Sequence, residues 1–260
     1  MRKNNTGFNY SSIENQLRKN ARKVNREYRR KNLMIRMTIV ISVFFIICWF
    51  ALQVSQKYAG SFEINLDNGR RSLSLCDNPE FANPSDVLYA DIPQEINNIS
   101  YTYLPLDIIG LQNGSANGRN YMCYTFYLKN SGNRTLDYTC AMKILNYEKG
   151  LDECIRIMIV RNGETSYYAK CKHGTDGEPE LVYYYDEHAR FDEVILTEAF
   201  VSDEEVFTKE YIGLTPGSYD KYSVVVWIEG SDPETNNEKL QGVVRMKIDF
   251  NVIEDEEEDM

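Results

Sequence analysis

The chain has 260 residues with a formal net charge of −10, and its 43% hydrophobic residues are enough to build a folded core. Residues 1–36 carry eleven basic and two acidic side chains, a net +9, whereas residues 37–260 carry 18 basic and 37 acidic side chains, a net −19. No charged residue lies between Met37 and Gln56. Two oppositely charged parts on either side of an uncharged stretch exclude an ordinary soluble enzyme and predict a chain divided by a membrane.

Residues 1–36 are predicted to form a basic cytoplasmic arm. Its apolar residues are spaced by 4, 4, 3 and 4 positions, which places them on one face of an amphipathic helix: Ile13, Leu17, Ala21, Val24 and Tyr28. Ser11 and Glu14 have capping-box spacing, so we expect the helix to begin near Ser12. The expected partner is the anionic inner leaflet of the lipid bilayer, although the charge also serves as a simple topology signal. No nucleic acid is expected, because nothing beyond charge supplies base contacts.

Residues 37–54 are predicted to form one transmembrane helix. Eighteen residues at about 1.5 Å each span roughly 27 Å, close to the hydrocarbon thickness of a bilayer. Basic residues stay on the cytoplasmic side, so we expect a single-pass type II signal-anchor in the cell membrane, with a cytoplasmic N-terminus and an extracellular C-terminal part. The alternatives are a buried core helix and a cleaved secretory signal. The best cleavage site, Lys57-Tyr58-Ala59, begins with a lysine.

Residues 61–253 are predicted to form one extracellular all-β domain, an immunoglobulin-like or jelly-roll sandwich. Short runs rich in Tyr and β-branched residues alternate there with turn signals. The predicted strands are 61–66, 121–129, 135–146, 154–161, 165–171, 181–185, 194–200, 221–229 and 242–253. Residues 254–260, which include six consecutive acidic residues, are predicted to be a disordered tail.

The strand at 221–229 is apolar on both faces. Its alternating residues are Tyr222, Val224, Val226 and Ile228 on one face, and Ser223, Val225 and Trp227 on the other. This pattern predicts a central strand that is covered on both sides. The Pro216-Gly217 turn leads into this strand with a tyrosine near its start, and in immunoglobulin-like sandwiches such a tyrosine can close a corner by hydrogen-bonding to nearby backbone.

Two cysteine pairs have spacing that fits disulfides across hairpins. Cys154 and Cys171 lie eight residues before and after Asn162-Gly163, the strongest two-residue hairpin signal. Cys123 and Cys140 lie eight residues before and after Ser131-Gly132. Both pairs would face each other at non-hydrogen-bonded positions, about 4.5 Å apart between Cα atoms. The sequence therefore predicts bridges Cys123–Cys140 and Cys154–Cys171, with Cys76 unpaired. The alternative is that all are small apolar residues packed within strands.

No catalytic, cofactor-binding or metal-binding residue is predicted. The only histidines are His173 and His188, and the sequence lacks the zinc-protease, nucleophile-elbow, P-loop and dinucleotide motifs. Cys171 with His173, and Asp186 and Glu187 with His188, could form the two halves of a metal site, but exposed loop residues are the preferred interpretation. The loop 231–238 is rich in oxygen ligands without calcium-loop spacing, so an ordinary acidic loop is preferred over a calcium site: its candidate ligands are Asp232, Glu234, Asn236 and Asn237.

The segments 124–132, 136–139, 224–234, 240–242 and 248–250 resemble uncharacterized membrane-anchored surface proteins of Gram-positive bacteria. More distantly, they are similar to the TasA and camelysin family of β-sandwich proteins. The resemblance implies a cell-surface sandwich that is able to self-assemble. The sequence contains no zinc-protease motif, so the metalloprotease activity claimed for camelysin is not expected of this chain. We therefore expect a non-enzymatic structural or protein-interaction role, and the alternative is a surface hydrolase.

The orientation of the anchor can be tested directly. Protease added to intact cells is expected to remove the C-terminal part and to spare an N-terminal tag, because the +9 arm holds the N-terminus inside. Immunoblotting of both ends measures this. A mature protein that begins near Gly60 would show instead that the apolar segment is a cleaved signal.

Overall fold

A computed structural model of the protein describes residues 10–57, 60–68, 72–93, 96–172, 174–175, 177–185 and 191–253. The chain divides into two compact units, Met1–Tyr58 and Ala59–Met260. The first contains one long helix, and the second, called here the β-domain, contains every strand of the described residues. The predicted acidic tail, His173 and His188 lie outside the described residues.

Helix α1 runs without a break through Tyr10–Lys57. The arm helix and the apolar helix predicted from the sequence are therefore one continuous helix. Within its segment Arg18–Trp49, an 18-residue window reaches a mean hydropathy of 2.0, so this helix is long and apolar enough to cross a membrane. Thr38 donates its hydroxyl to the carbonyl of Met34, and Ser42 to that of Thr38, both at 2.9 Å, so the helix itself satisfies these polar groups. The predicted orientation of the helix stays a prediction.

The β-domain is built from two sheets that contain both parallel and antiparallel pairs. Sheet A has the strand order β12-β6-β14-β1-β3, sheet B has the order β11-β8-β7-β13-β5-β2 with β4 beside β5, and β9 and β10 form a separate hairpin. The strands are β1 Ser61–Leu66, β2 Leu73–Cys76, β3 Val87–Ala90, β4 Gly114–Ser115, β5 Tyr121–Asn130, β6 Leu136–Tyr147, β7 Ile155–Arg161, β8 Glu164–Ala169, β9 Val182–Tyr185, β10 Phe191–Ile195, β11 Glu198–Ala199, β12 Glu205–Leu214, β13 Tyr219–Ile228 and β14 Val244–Ile253. The short helix α2 is Leu151–Cys154, and Tyr101–Tyr103 and Lys239–Gln241 form 3-10 turns.

The two sheets share one aromatic and aliphatic core. Phe250 of sheet A contacts Phe126 and Tyr222 of sheet B, with ring centroids 5.9 and 5.3 Å apart. Farther along, Tyr168 of sheet B stacks on Phe207 of sheet A at 4.6 Å. These contacts confirm the prediction of a mostly β domain made of packed sheets.

Strand β13 is central, as predicted. It pairs with β5 on one side and β7 on the other. Val224 and Ile228 lie in the core between the sheets, whereas Val225 and Trp227 lie in a second apolar cluster on the opposite face of sheet B. The hydroxyl of Tyr222 lies 2.6 Å from that of Tyr138 in sheet A, so this tyrosine bonds to a side chain across the core and does not form a tyrosine corner.

The Asn162-Gly163 hairpin forms with the predicted register. Asn162 and Gly163 have φ of 50° and 92°, and pairing extends from Arg161–Glu164 to Arg156–Ala169. The ladder then stops. Cys154 ends helix α2, and Cys171 instead bridges to Pro179, so these two cysteines are not paired across the hairpin.

The predicted hairpin at Ser131-Gly132 is wrong. Strand β5 lies in sheet B and β6 in sheet A, so the chain crosses between the sheets there. Cys140 faces the core between the sheets, and Cys123 faces the second cluster beyond sheet B. All six cysteines are free thiols, which corrects both predicted disulfides.

Thiol chemistry tests this correction. Burial raises the pKa of Cys123 to about 11 and also raises the pKa of Cys140 and Cys154, so these thiols stay protonated at pH 8. We expect maleimide to label them only after unfolding, whereas the half-exposed Cys171 is labelled in the native state. Mass spectrometry of peptides prepared without a reducing agent shows which cysteines are labelled in the native and in the unfolded protein. A Cys123–Cys140 peptide would contradict the assignment of these strands to different sheets.

Candidate interaction surface

The outer face of sheet B carries a second apolar cluster. Its members come from three strands of sheet B and from the chain that covers them: Tyr101, Leu104, Cys123, Met158, Val182, Val225 and Trp227. Residues 99–113 and the β9–β10 hairpin supply the cover. Because both faces of β13 are apolar, sheet B requires this extra layer to keep Val225 and Trp227 from water.

The covering segment is fixed at its first end by pairing and by aromatic contacts. Ile99 bridges to Glu229 at the end of β13. The ring of Tyr101 lies 6.0 Å from Trp227, and its hydroxyl lies 2.8 Å from that of Tyr167. Burial, followed by the hydrogen bond to Tyr167, raises the pKa of Tyr101 well above its ordinary value, so this hydroxyl stays neutral.

The other end of the segment is fixed around Gly110. Gly110 has φ of 79°, and a Cβ there would lie 2.9 Å from the Ser223 hydroxyl oxygen. Lys221 donates its ammonium group to the Gly110 carbonyl at 2.5 Å, and Tyr127 donates its hydroxyl to the Asn113 side chain at 2.7 Å. Only glycine satisfies both the left-handed backbone and this close approach to β13.

Between these two anchors, four large apolar side chains point to solvent. Tyr103 is 70% exposed, Leu106 40%, Ile108 47% and Leu111 74%. The neighbouring Tyr101 and Leu104 are buried, so the backbone is held from beneath while its outer side chains have no cover. We call residues 101–111 the apolar loop. An exposed apolar surface on a fixed backbone is typical of a docking site, because little conformational freedom is lost on binding.

A second feature lies beside the apolar loop. Tyr127 and Lys129 of β5 face Lys221 and Tyr219 of β13 across the strand pair, so lysines and tyrosines alternate on the outer face. The two tyrosine rings lie 5.3 Å apart, and the Lys221 ammonium lies 5.9 Å from the Tyr127 ring. Phe81 lies against Tyr219 at 6.2 Å, with the Lys129 ammonium 5.1 Å from its ring. These five residues are called the lysine–aromatic patch.

Phe81 enters the patch through an unusual backbone conformation. Its φ is 52°, in the left-handed region that a bulky side chain rarely occupies. Its amide donates to the Asn78 carbonyl at 3.3 Å, which closes the turn that holds it there. The surrounding structure therefore offsets the strain of this backbone conformation, which places the Phe81 ring against Tyr219.

The oxygen-rich loop 231–238 uses its oxygens internally. Arg156, which is 1% exposed, donates to Asp232 at 2.7 Å, and the other oxygen of Asp232 accepts the amide of Glu234 at 2.8 Å. Asn236 accepts the amides of Glu238 and Lys239. These contacts occupy oxygens of Asp232 and Asn236 with donors from the loop itself, from Lys239 and from Arg156 of β7. No group of three or more His, Cys, Asp or Glu that could hold a metal occurs among the described residues.

The metal-ligand candidates of the sequence and the candidate interaction surfaces of the structure are different residues. His173 and the segment 186–188, the candidate metal ligands, lie outside the described residues. Neither the apolar loop nor the lysine–aromatic patch was predicted as a site. The apolar run at 104–111 was a usable signal for the first, but it lies between the predicted strands 61–66 and 121–129, where no site was predicted. The patch had no sequence signal, because β5 and β13 are about 90 residues apart.

Comparison with known proteins assigns no family. No protein-family model matches the chain, and no curated protein matches it significantly. A β-glucosidase from Kluyveromyces marxianus in complex with glucose matches at 11% identity and a TM-score of 0.24, over 72% of this chain and 16% of its own. The GH31 α-xylosidase from Xanthomonas citri matches at 8% identity and a TM-score of 0.23, over 74% of this chain and 19% of its own. The chain thus spans under a fifth of either enzyme, and overlap this low carries no argument about fold or activity.

Substitution of Gly110 tests how the apolar loop is fixed. Gly110→Ala strains the backbone and places the new Cβ too close to the Ser223 hydroxyl oxygen. We therefore expect a loss of about 2–4 kcal/mol in the free energy of unfolding. Gly163→Ala is the matched control, because Gly163 also has positive φ but nothing lies within 4 Å of its added Cβ. We expect it to cost only about 1 kcal/mol. Urea denaturation of the full chain in detergent measures both, and equal losses would contradict the close approach of Gly110 to β13.

Proposed function

We propose that the protein is a non-enzymatic interaction module held at the bacterial cell surface, and that it docks a protein partner through its apolar loop. The N-terminal helix anchors it with the N-terminus in the cytoplasm, and the basic arm interacts with the anionic inner leaflet. The β-domain is then presented outside the cell. The proposal combines the charge asymmetry of the chain with one structural observation, the four exposed side chains of the apolar loop.

The apolar loop favours a protein partner because of how it is built. Its backbone is fixed by Tyr101 and Gly110, while Tyr103 and Leu111 are mostly exposed. Interface centres are enriched in aromatic and apolar side chains and depleted in charge, and the loop has one charged residue, Asp107. An exposed mobile segment would lose much more freedom on binding.

The finer fold assignment belongs to this proposal as well. We propose a sandwich of the immunoglobulin-like or jelly-roll kind, related to the membrane-anchored surface proteins and, distantly, to the TasA and camelysin family. Its support is the pair of packed sheets together with the crossing of the chain between sheets at residues 131–135. Self-assembly at the cell surface is one form that docking through the apolar loop could take.

A surface hydrolase is the alternative function. Its catalytic groups would have to come from the few cysteines, histidines and carboxylates weighed above, of which His173 and His188 lie outside the described residues, and no observation of the described residues favours it. Stoichiometric zinc in the purified protein, or proteolysis lost on His173→Ala, would support the hydrolase and contradict an interaction module.

In-cell photocrosslinking tests the docking surface. Benzoylphenylalanine replaces Leu111, with Ile212 as the matched control, since Ile212 is an aliphatic residue of sheet A that is 83% exposed. We expect a discrete ultraviolet-dependent adduct at position 111 and none at position 212, because only the apolar loop is buried on docking. Immunoblotting detects the adducts, and mass spectrometry shows whether the partner is another protein or a second copy. No adduct at position 111, or equal adducts at both positions, would overturn the proposal.

A further inference from the structure

The apolar loop and the lysine–aromatic patch form one continuous surface. Lys221 of the patch donates its ammonium group to the carbonyl of Gly110, and the next residue of the same peptide bond is Leu111. The Leu111 Cα therefore lies within about 6 Å of the ammonium nitrogen. Lys129 lies two residues farther along β5 than Tyr127, which pairs with Lys221, so the Cα atoms of Lys129 and Tyr127 are roughly 7 Å apart. A short polypeptide segment laid across this surface reaches the apolar loop and both lysines together.

No carboxylate among the described residues neutralises the two lysines of this surface. Asp77 and Glu80 lie on the turn beside Phe81, but neither forms an ion pair with Lys129 or Lys221. The Gly110 carbonyl takes one of the three ammonium protons of Lys221, and because this carbonyl is neutral, the positive charge remains. Other lysines of the β-domain do have acidic partners: Lys143, Lys170, Lys172, Lys209, Lys239 and Lys247. The two lysines of the patch are thus available to carboxylates from outside the β-domain.

Aromatic rings restrain both ammonium groups at this surface. The Lys129 nitrogen lies 5.1 Å from the centre of the Phe81 ring, and the Lys221 nitrogen lies 5.9 Å from that of Tyr127. Tyr219, between them on the outer face, is 45% exposed. Because the rings limit the movement of the lysine side chains, less conformational freedom is lost when a carboxylate pairs with them. The surface therefore offers apolar contacts on the loop and charge-assisted hydrogen bonds beside them.

We propose that the partner of the apolar loop is a separate protein that presents a segment of mixed apolar and acidic composition. Its apolar side chains pack on Ile108 and Leu111. Its Asp or Glu side chains pair with Lys129 and Lys221. This inference rests on the proposed function and names the chemistry of its partner. Residues 37–260 carry a net −19, so the overall field of the β-domain repels a carboxylate, and pairing at the two lysines fixes the register of the segment. The same net charge opposes association with a second copy of this chain.

Photocrosslinking at two positions of the full chain in cells tests the composition of the partner. Benzoylphenylalanine replaces either Leu111 of the loop or Tyr219 of the patch. We expect both positions to capture the same protein, and mass spectrometry to show an acidic residue in the peptide captured at position 219. A different protein at each position, a captured peptide without Asp or Glu, or a second copy of this chain would overturn the inference and leave docking through the apolar loop standing. No adduct at position 111 would instead remove the proposed function itself.

Charge reversal at the patch provides an independent test. We expect Lys129→Glu to lower the yield of the position-111 adduct about tenfold, and Lys129→Gln to lower it about threefold, because the partner's carboxylate is repelled in the first and only unpaired in the second. Lys172→Glu is the matched control, since it changes the net charge equally beyond β8, at the opposite end of sheet B. Protection of Cys140 from maleimide shows that each variant is folded. An unchanged yield in Lys129→Glu and Lys129→Gln, or an equal loss in Lys172→Glu, would overturn the inference.

Discussion

The constraint on which the β-domain depends is that β13 is apolar on both faces. A strand of this kind has no face to turn toward water, so it must lie in the middle of a sheet with a layer on each side. Sheet A supplies one layer through Phe250 and its neighbours. The second layer must come from elsewhere, and residues 99–113 and the β9–β10 hairpin provide it. The apolar loop exists because a long connection has to run over sheet B to bury Trp227.

Two buried charged groups, Arg156 and Asp220, each have several partners. Arg156 is buried, and it is neutralised by Asp232 at 2.7 Å and Glu180 at 3.7 Å, with backbone carbonyls taking its other protons. At the opposite end, Asp220 accepts from Tyr138, Arg161 and Asn162. Burial of such charges is costly and adds little net stability, but removal of one partner leaves the other uncompensated. These groups therefore specify which loops meet which strand ends: Arg156 ties the 231–238 loop to β7, and Asp220 ties the two sheets together where β14 ends.

The sequence predicted local structure well and long-range pairing poorly. The strand 61–66, the two-faced pattern of β13 and the turn at Asn162-Gly163 were all correct, because each depends on neighbours within about ten residues. The Cys123–Cys140 hairpin failed because spacing around a turn does not show whether the chain stays in one sheet or crosses to the other. Strand β12 was missed, since edge strands carry charged residues such as Lys209 and Glu210 that weaken the β signal. The lysine–aromatic patch is a product of pairing between distant strands, and no local pattern can reveal it.

The two outer faces of the β-domain differ in a way that directs binding. On sheet A, Lys143 and Lys247 converge on Asp249 at 3.7 and 2.7 Å, so its charges are paired within the sheet. Strand β12 is a long edge of this sheet, and its charged residues Lys209 and Glu210 oppose pairing with another strand. On sheet B, the covering layer ends in exposed apolar side chains, and beside it two lysines rest on aromatic rings without acidic partners among the described residues. The outer side of sheet B therefore combines exposed apolar surface with two lysines that have no acidic partner among the described residues, whereas the buried carboxylate of Asp249 on sheet A is paired with two lysines.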